Sequence, residues 1–289
     1  MIAVASGAMR GLVLGGGGVT GVAWELGVLA GLHSAGLDLR AADVVVGTSA
    51  GSVVGAQLLS GLGTEQLYER QLDPSSPEVA ATIGPRVQLG YGRALLRSRH
   101  DLTGFAQHIG AMAIAAERRG AVMGPEDRRA VIRYRLPSLD WPERDLRVTV
   151  VDAITGEFRV ITAADGIPLL DAVTASCAVP GVYPAVPIDG RLYFDGGVRS
   201  AANADVARGC ERIVALTPLA RVAGPIPSTR SQLDALAVPS VLIAPDPESV
   251  AAIGPNVLDP AARTGTARAG RRQGELAAAE VAAVWNATI

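Results

Sequence analysis

The sequence predicts an α/β fold built on a mainly parallel sheet, and two observations carry this prediction. Within the first sixty residues, two apolar strand-like runs, RGLVLG and DVVVG, each lead through glycines into a helical pattern. Two further apolar runs, ERIVALTPL and VPSVLIAP, follow late in the chain. Strands that alternate with helices favour parallel pairing, because each crossover helix carries the chain back to the same end of the sheet.

Apolar side chains at near-helical spacing predict the first helix. Val22, Leu26, Leu29 and Leu32 follow the glycine run, and Gly36 is suited to end the helix. DVVVG is then the second strand, and SVVGAQLLSG is the second helix.

From about residue 67 to residue 141 the pattern changes to a predicted helical insert. Prolines cluster at positions 74, 77 and 85, and arginine is dense in RALLRSRH and ERRGAVMGPEDRRAVIRYR. Between Arg86 and Arg135 there are ten arginines and four acidic residues. A solvated helical face with local salt bridges is the ordinary interpretation of such a run, and contact with anionic lipid is the alternative.

Strands resume after the insert. LRVTVVDAITGEFRVIT predicts a hairpin with its turn at ITGE, and LLDAVTASCAV predicts a helix that ends at Pro180. A short strand pair around Asp189 and Gly190 follows, and the segment from about 259 to 285 predicts a closing helix. No internal repeat or low-complexity linker interrupts the chain, so we expect a single domain over residues 1–289.

Composition excludes several classes of function. The 289 residues carry a formal charge of -2, so we expect no nucleic-acid partner. All 26 basic residues are arginine, which rules out a Walker-type phosphate loop and a Schiff-base lysine.

The uncharged stretch 44–64 contains five glycines and a proposed turn, so we interpret it as strand and helix rather than a membrane span. With two cysteines and no secretory pattern, we expect a cytoplasmic protein.

A hydroxyl flanked by glycines marks the candidate nucleophile. In Gly47-Thr48-Ser49-Ala50-Gly51, a glycine stands two places from Ser49 on each side, which is the spacing that a sharp strand-to-helix turn requires. Such a turn exposes the central side chain at its tip. The pattern is short and also arises by chance, so its meaning depends on the rest of the chain.

A glycine run after the first strand predicts an anion-binding loop. Gly16, Gly17 and Gly18, with Gly21, stand where backbone N–H groups at a helix start can face negative charge. Because parallel strands end at the same edge, this run should lie beside Ser49 and stabilise an oxyanion. The run also matches the dinucleotide-binding pattern G-x-G-x-x-G, but the second strand ends without the acidic residue that binds a ribose. A dinucleotide-binding oxidoreductase is therefore the less supported alternative.

The base that would activate this serine is predicted to be an aspartate. The three histidines all precede the late strands, unlike the late histidine of an α/β-hydrolase. A partly desolvated carboxylate in contact with the hydroxyl can replace histidine. Asp195 is the best candidate because Gly196 and Gly197 allow a tight turn that presents it, whereas Asp152 and Asp189 stand beside predicted hairpin turns.

Three segments in order, LVLGGGGVTG, GTSAGS and LYFDGGV, resemble the patatin-like phospholipase family, as does the phrase ASCAVPGVYPAVPIDGRLYFDGG. The similarity covers roughly Arg10 to Pro218 except for the insert. It implies a three-layer α/β fold, a Ser-Asp dyad and hydrolysis of fatty acyl esters in lipids. Position by position, it implies Ser49 as nucleophile, Asp195 as catalytic aspartate, Gly16, Gly17 and Gly18 as the oxyanion loop, and Gly21, Gly47, Gly51, Gly196 and Gly197 as supporting glycines.

One position of the loop departs from the family pattern. Many bacterial members carry Arg or Lys just before the last glycine of the loop, where this sequence has Thr20. Cleavage of simple esters is therefore expected more firmly than a preference for phospholipids. The segment after Gly197, VRSAANADVA, also lacks the Asn-Pro often found there.

These features predict a serine lipid acyl hydrolase of phospholipase, lysophospholipase or esterase type that acts through an acyl-enzyme. Its partner would be a lipid or fatty acyl ester, with peripheral membrane contact through the arginine-rich insert as a further expectation. No His, Cys and carboxylate residues cluster at ligand spacing, so we expect neither a metal nor another cofactor. A non-catalytic lipid-binding or regulatory protein with the same fold is the alternative.

Overall fold

The computed structural model describes residues 8–75, 77–98, 100–219 and 225–287. It confirms the predicted α/β fold with a mainly parallel sheet flanked by helices. The strands in these ranges are β1 (Arg10–Leu14), β2 (Val44–Gly47), β3 (Asp145–Asp152), β4 (Phe158–Ile161), β5 (Val186–Ile188), β6 (Arg191–Asp195), β7 (Arg212–Leu216) and β8 (Ser240–Ile243). The α-helices are α1 (Gly18–Ser34), α2 (Ala50–Leu58), α3 (Thr64–Leu72), α4 (Pro85–Arg97), α5 (Leu102–Arg118), α6 (Pro125–Arg135), α7 (Leu169–Ser176), α8 (Thr229–Leu236), α9 (Pro247–Ile253) and α10 (Arg263–Trp285).

The sheet has the strand order β5-β6-β3-β2-β1-β7-β8, and β4 pairs with β3 outside this path. Strands β3, β2, β1, β7 and β8 pair in parallel, whereas β4, β5 and β6 pair antiparallel. Residues of β1, β2 and β7 are almost all buried, as expected for strands that helices cover on both faces.

Both predicted hairpins are present. β3 pairs with β4 across the turn at ITGE, and β5 pairs with β6 across Asp189 and Gly190. The two turn residues have left-handed backbone conformations, with φ of 51° and 75°. Aspartate and glycine adopt this conformation more readily than most residues, so the turn chemistry sets the strand pairing.

The register of the central strands fixes where the functional loops begin. Leu14, the last residue of β1, is paired with Gly47, the last residue of β2. Asp195, the last residue of β6, is paired with Val150 of β3. The segments that follow β1 and β2 therefore leave the sheet side by side, as parallel pairing requires.

Helices α1 and α10 pack backbone against backbone through glycines. A Cβ atom added to Gly27 would collide with the Ala267 carbonyl oxygen. Added Cβ atoms would likewise collide with the backbone of the facing helix at Gly31, Gly270 and Gly274. No larger side chain fits between the two helices, so their approach depends on glycine at these positions.

Helices α4, α5 and α6 lie within the predicted insert, whereas α3 begins before it. Phe105 and Ile109 of α5 are buried in one apolar cluster with Val151 of β3 and Phe194 of β6. Helix α5 therefore covers the part of the sheet in which β6 ends. The assignment of residues 1–289 to a single domain with an insert remains a prediction.

Several helix ends differ from the predicted ones. α2 spans Ala50–Leu58, whereas the predicted helix SVVGAQLLSG covers residues 52–61. α7 ends at Ser176 instead of reaching Pro180, in keeping with the bias of residues before a proline away from helical conformation. α10 begins at Arg263 rather than at residue 259, because the Asp259 carboxylate accepts the Ala261 N–H and caps a short 3-10 turn first.

The close contact of α1 and α10 makes a prediction about stability. Gly270→Ala should lower the free energy of unfolding by about 1–3 kcal/mol, because the methyl group must push the helices apart. Gly265→Ala on the same helix meets nothing within 4 Å and should be neutral or stabilising by up to about 1 kcal/mol. Urea denaturation measures both changes, and equal effects of the two variants would contradict the packing described.

Candidate active site

Ser49 stands at the tip of a strained turn between β2 and α2. Its φ of 52° and ψ of -115° lie in a region that non-glycine residues rarely adopt. An added Cβ atom at Gly47 would lie 2.6 Å from Ser52 Cα, and one at Gly51 would collide with the Leu14 carbonyl oxygen. The two glycines are therefore required by close contacts, and these contacts hold Ser49 in its strained conformation.

The glycine run leaves β1 beside this turn and leads into α1. The Gly16 N–H is already engaged, because it donates to the Ala201 carbonyl oxygen at 2.7 Å. In the part of the chain that the structure describes, the N–H groups of Gly17 and Gly18 have no acceptor. Both glycines line the same cavity as Ser49. Among the described residues, Gly17 and Gly18 thus have N–H groups without an acceptor, as the predicted oxyanion loop requires. The Gly16 N–H instead holds the loop in place.

Two buried polar residues of α1, Glu25 and Thr20, hold the glycine run in place. Glu25 Oε1 accepts the Gly15 N–H at 2.8 Å, and burial raises the pKa of Glu25 well above its ordinary value. The N–H and Oγ1 of Thr20 both donate to the Val257 carbonyl oxygen, at 3.1 and 3.3 Å. Thr20 therefore ties the loop to the segment before α10 and is not among the residues that line the cavity.

Asp195 ends β6 and lines the cavity together with Ser49. The Gly197 N–H donates to Asp195 Oδ1 at 2.8 Å. Burial raises the pKa of Asp195 to about 6, against the opposing effects of the Ser49 hydroxyl, the Gly197 N–H and the Arg128 guanidinium. The carboxylate is thus more basic than an exposed aspartate and is still ionised near neutral pH.

The turn after α7 contacts both Ser49 and Asp195. Ser176 Oγ accepts the Ser49 N–H at 2.9 Å, and Cys177 Sγ donates to the Ser49 carbonyl oxygen at 3.2 Å. One residue later, the Ala178 carbonyl oxygen accepts the Asp195 N–H at 3.2 Å. This turn therefore fixes the serine and the aspartate relative to each other.

A buried amide links the nucleophile turn to the aspartate turn. Asn203 Nδ2 lies 3.1–3.3 Å from Thr48 Oγ1, Thr149 Oγ1 and the Gly196 carbonyl oxygen. Asn203 is fully buried and has a φ of 49°, which asparagine tolerates better than most residues. The segment VRSAANADVA, which departs from the family pattern in sequence, thus supplies a cross-link between the two turns.

The other candidates from the sequence lie outside the cavity. Asp152 Oδ1 accepts the N–H groups of Ile154 and Thr155 and so shapes the β3–β4 turn. Asp189 lies in the β5–β6 turn and is 66% exposed. Within the described residues, no three His, Cys, Asp or Glu side chains are grouped as metal ligands. The cavity is also not lined by any of the histidines, which are His33, His100 and His108.

The cavity itself has a volume of about 300 Å³ and is mainly apolar. Pockets for drug-sized ligands span roughly 300–1,000 Å³, so this cavity lies at the small end of that range. Its apolar lining includes Ile83, Tyr91, Leu95, Phe105, Val198 and Leu258.

The sequence predicts that Ser49 and Asp195 share one site, and both line the cavity, but it does not predict the residues that hold them in place. Ser176, Cys177, Asn203 and Arg128 are distant in sequence from the residues that they contact, so no local pattern marks their roles. The one available signal was the phrase ASCAVPG, which contains the first two of these residues and belongs to the family resemblance.

Comparisons with known proteins found two similar solved structures and one matching family model. The structure of VipD from Legionella pneumophila is 14% identical, with 94% of this chain and 67% of that chain covered and a TM-score of 0.46. The structure of the type III effector protein ExoU is 16% identical, with 94% and 53% covered and a TM-score of 0.42. This chain thus spans about half the length of ExoU, and likenesses at this level do not bear on substrate or mechanism.

A family model described as patatin-like phospholipase matches residues 12–208, which is more than half of the chain. The protein therefore belongs to the patatin-like phospholipase family, and this membership supports lipid hydrolysis as its activity.

Proposed function

We propose that this protein is a serine lipid acyl hydrolase that cleaves fatty acyl esters with Ser49 and Asp195 as a catalytic dyad. The observation that carries the proposal is the meeting of three features at one apolar cavity. These are the Ser49 hydroxyl, the Asp195 carboxyl and the free N–H groups of Gly17 and Gly18. A nucleophile, a base and an oxyanion-binding pair are the groups that acyl transfer needs.

In the proposed reaction, Asp195 accepts the Ser49 proton as Oγ attacks the carbonyl carbon of the ester. Negative charge moves to the carbonyl oxygen, where the N–H groups of Gly17 and Gly18 stabilise it. The intermediate expels the alcohol, which takes the proton from Asp195, and the fatty acyl group stays on Ser49. Asp195 then deprotonates a water molecule, which attacks this ester and releases the fatty acid.

Replacement of either dyad residue should abolish turnover. Ser49→Ala removes the nucleophile and Asp195→Asn removes the base, so each should lower kcat/KM for a p-nitrophenyl acyl ester by at least about a thousandfold. Asp189→Asn changes a 66% exposed carboxylate and is the matched control, which should retain wild-type activity. Fluorophosphonate labelling should also disappear in Ser49→Ala. A wild type that neither labels nor hydrolyses any ester would favour the non-catalytic lipid-binding alternative.

The raised pKa of Asp195 predicts the pH dependence of the reaction. Only the ionised carboxylate can accept a proton, and its pKa is raised to about 6. The rate should therefore fall as the pH drops through about 6, rather than through the ordinary range of an aspartate near 4. Measurement of kcat/KM from about pH 4 to about pH 9 tests this, and a rate that stays constant down to pH 5 would refute it.

We also propose that helix α4 brings the cavity to an anionic membrane surface. Leu89 and Leu96 of this helix are 53% and 70% exposed. The helix sequence PRVQLGYGRALLR carries three arginines, all exposed, and no acidic residue. Tyr91 and Leu95 of the same helix line the cavity. A lipid chain that leaves the bilayer at α4 would therefore enter next to the dyad. None of the described helices is long and apolar enough to span a bilayer.

Vesicle binding tests the role of α4. Binding to phosphatidylcholine vesicles should increase when phosphatidylglycerol is added, and Arg93→Gln should weaken it about fivefold, because one arginine near an anionic surface contributes about 1 kcal/mol. Leu96→Ser should also weaken binding, whereas Leu276→Ser, on a leucine of α10 that is 72% exposed, is the matched control. Co-sedimentation measures all of these. If neither the anionic lipid nor the α4 variants change binding, α4 is simply a solvated face.

A further inference from the structure

A second cavity, much smaller than the apolar one, also lies against Ser49. It has a volume of about 10 Å³, and its lining includes Val19, Ala50, Arg128 and Arg135. A cavity of about this volume is just large enough for one water molecule. It therefore excludes lipid head groups and polyatomic anions such as sulfate, and it admits either a water molecule or a single ion.

Two α-helices begin at this small cavity. Val19 lies in the first turn of α1, which has 17 residues, and Ala50 is the first residue of α2, which has nine. Within the ranges that the structure describes, the N–H groups of Val19 and Ala50 have no acceptor. The start of a helix carries partial positive charge and unpaired N–H groups, so both helices favour an anion in the small cavity.

Arg128 of α6 adds a buried donor without a partner. The residue is 4% exposed, and its Nη2 donates to the Cys177 carbonyl oxygen at 3.0 Å. Its guanidinium lies 3.6 Å from the centre of the Tyr183 ring. Among the described residues, its Nε has no acceptor. A buried donor that lacks an acceptor is costly, so we expect a ligand in the small cavity that accepts this hydrogen bond.

One buried carboxylate serves three arginines near the small cavity. Glu78 accepts hydrogen bonds from Arg135 at 2.7 and 2.6 Å, and both side chains are 7% exposed. Burial raises the pKa of Glu78, but Arg135, Arg263 and Arg128 together hold it below its ordinary value. None of the described Asp or Glu residues lines the small cavity itself. The buried positive charge therefore leaves room for a further anion.

These features favour an anion over a water molecule in the small cavity. Either ligand could accept hydrogen bonds from the Arg128 Nε and from the N–H groups of Val19 and Ala50. Only an anion also offsets the excess of buried positive charge, which is costly without a partner. The volume then restricts the anion to a single atom, because a halide is only slightly larger than water.

We propose that the small cavity beside Ser49 binds one monovalent anion of the size of chloride, held by Arg128 and by the first turns of α1 and α2. The site does not depend on the proposed catalytic dyad. It would place a fixed negative charge next to Ser49 and Gly18, both of which also line the apolar cavity.

Anomalous scattering from bromide tests the site directly. A wild-type crystal soaked in sodium bromide should show an anomalous peak within hydrogen-bond distance of the Arg128 Nε and the Ala50 N–H. Arg128→Gln should lose this peak. Arg133→Gln changes an exposed arginine of the same helix and is the matched control, which should keep it. A wild-type cavity without an anomalous peak would overturn the proposal, and a peak that persists in Arg128→Gln would overturn the role given to Arg128.

Thermal denaturation tests the site in solution. At constant ionic strength, sodium chloride should replace sodium gluconate, whose anion is too large for the small cavity. The Tm of the wild type should rise by about 2 °C once chloride reaches about ten times its dissociation constant. The Tm of Arg128→Gln should not respond, and an equal rise in both proteins would be a general salt effect that contradicts the proposal. If Arg128→Gln does not fold, the bromide map of the wild type still decides.

An effect on labelling separates this site from the proposed dyad, on which this step alone rests. An anion beside Ser49 and Gly18 repels the negative charge that forms on the ester oxygen. Chloride should therefore slow fluorophosphonate labelling of the wild type more than that of Arg128→Gln. A bromide peak without any effect on labelling would support the anion site and contradict the role proposed for the Gly18 N–H. A wild type that does not label would reject the dyad, while the bromide map still tests the anion site.

Discussion

The pairing of Leu14 with Gly47 at the ends of two parallel strands is the constraint on which the candidate site depends. It places the glycine run after β1 next to the turn at Ser49, which follows β2. Helix α2 must then begin at once, and Gly51 lies so close to the end of β1 that no side chain fits there. The strained conformation of Ser49 follows from this crowding. Ser49, Gly17 and Gly18 consequently line the same cavity.

Burial gives the protein two carboxyl groups with different properties. Asp195 is buried, but a backbone N–H, a hydroxyl and a guanidinium all favour its charged form, so its pKa is raised only to about 6. Glu25 is also buried, and it has one such partner, the Gly15 N–H, while its Oε2 has none among the described residues. Burial therefore raises the pKa of Glu25 well above its ordinary value, whereas Asp195, with a pKa of about 6, can change its charge near neutral pH.

Much of this arrangement could be predicted from the sequence, because it follows from local patterns. Strand, glycine and helix succeed one another twice before residue 60, and an aspartate followed by two glycines ends a short hairpin. The engagement of Gly16 by Ala201 could not be predicted, since it depends on where a distant loop returns to the sheet. The same holds for Asn203 and the turn after α7, whose contacts join segments more than a hundred residues apart.

The packing of α10 on α1 has a consequence for the order in which the protein is completed. Strand β7 pairs along the whole of β1, and α10 covers α1 through facing glycines. Both elements lie beyond residue 208, where the family match ends. During translation, the strand and helix that flank the glycine loop thus lack one neighbour each until residues 212–285 have left the ribosome. Ser49 and Asp195 are synthesised before this point, so a nascent chain carries both side chains before the glycine run beside them is held by its later neighbours.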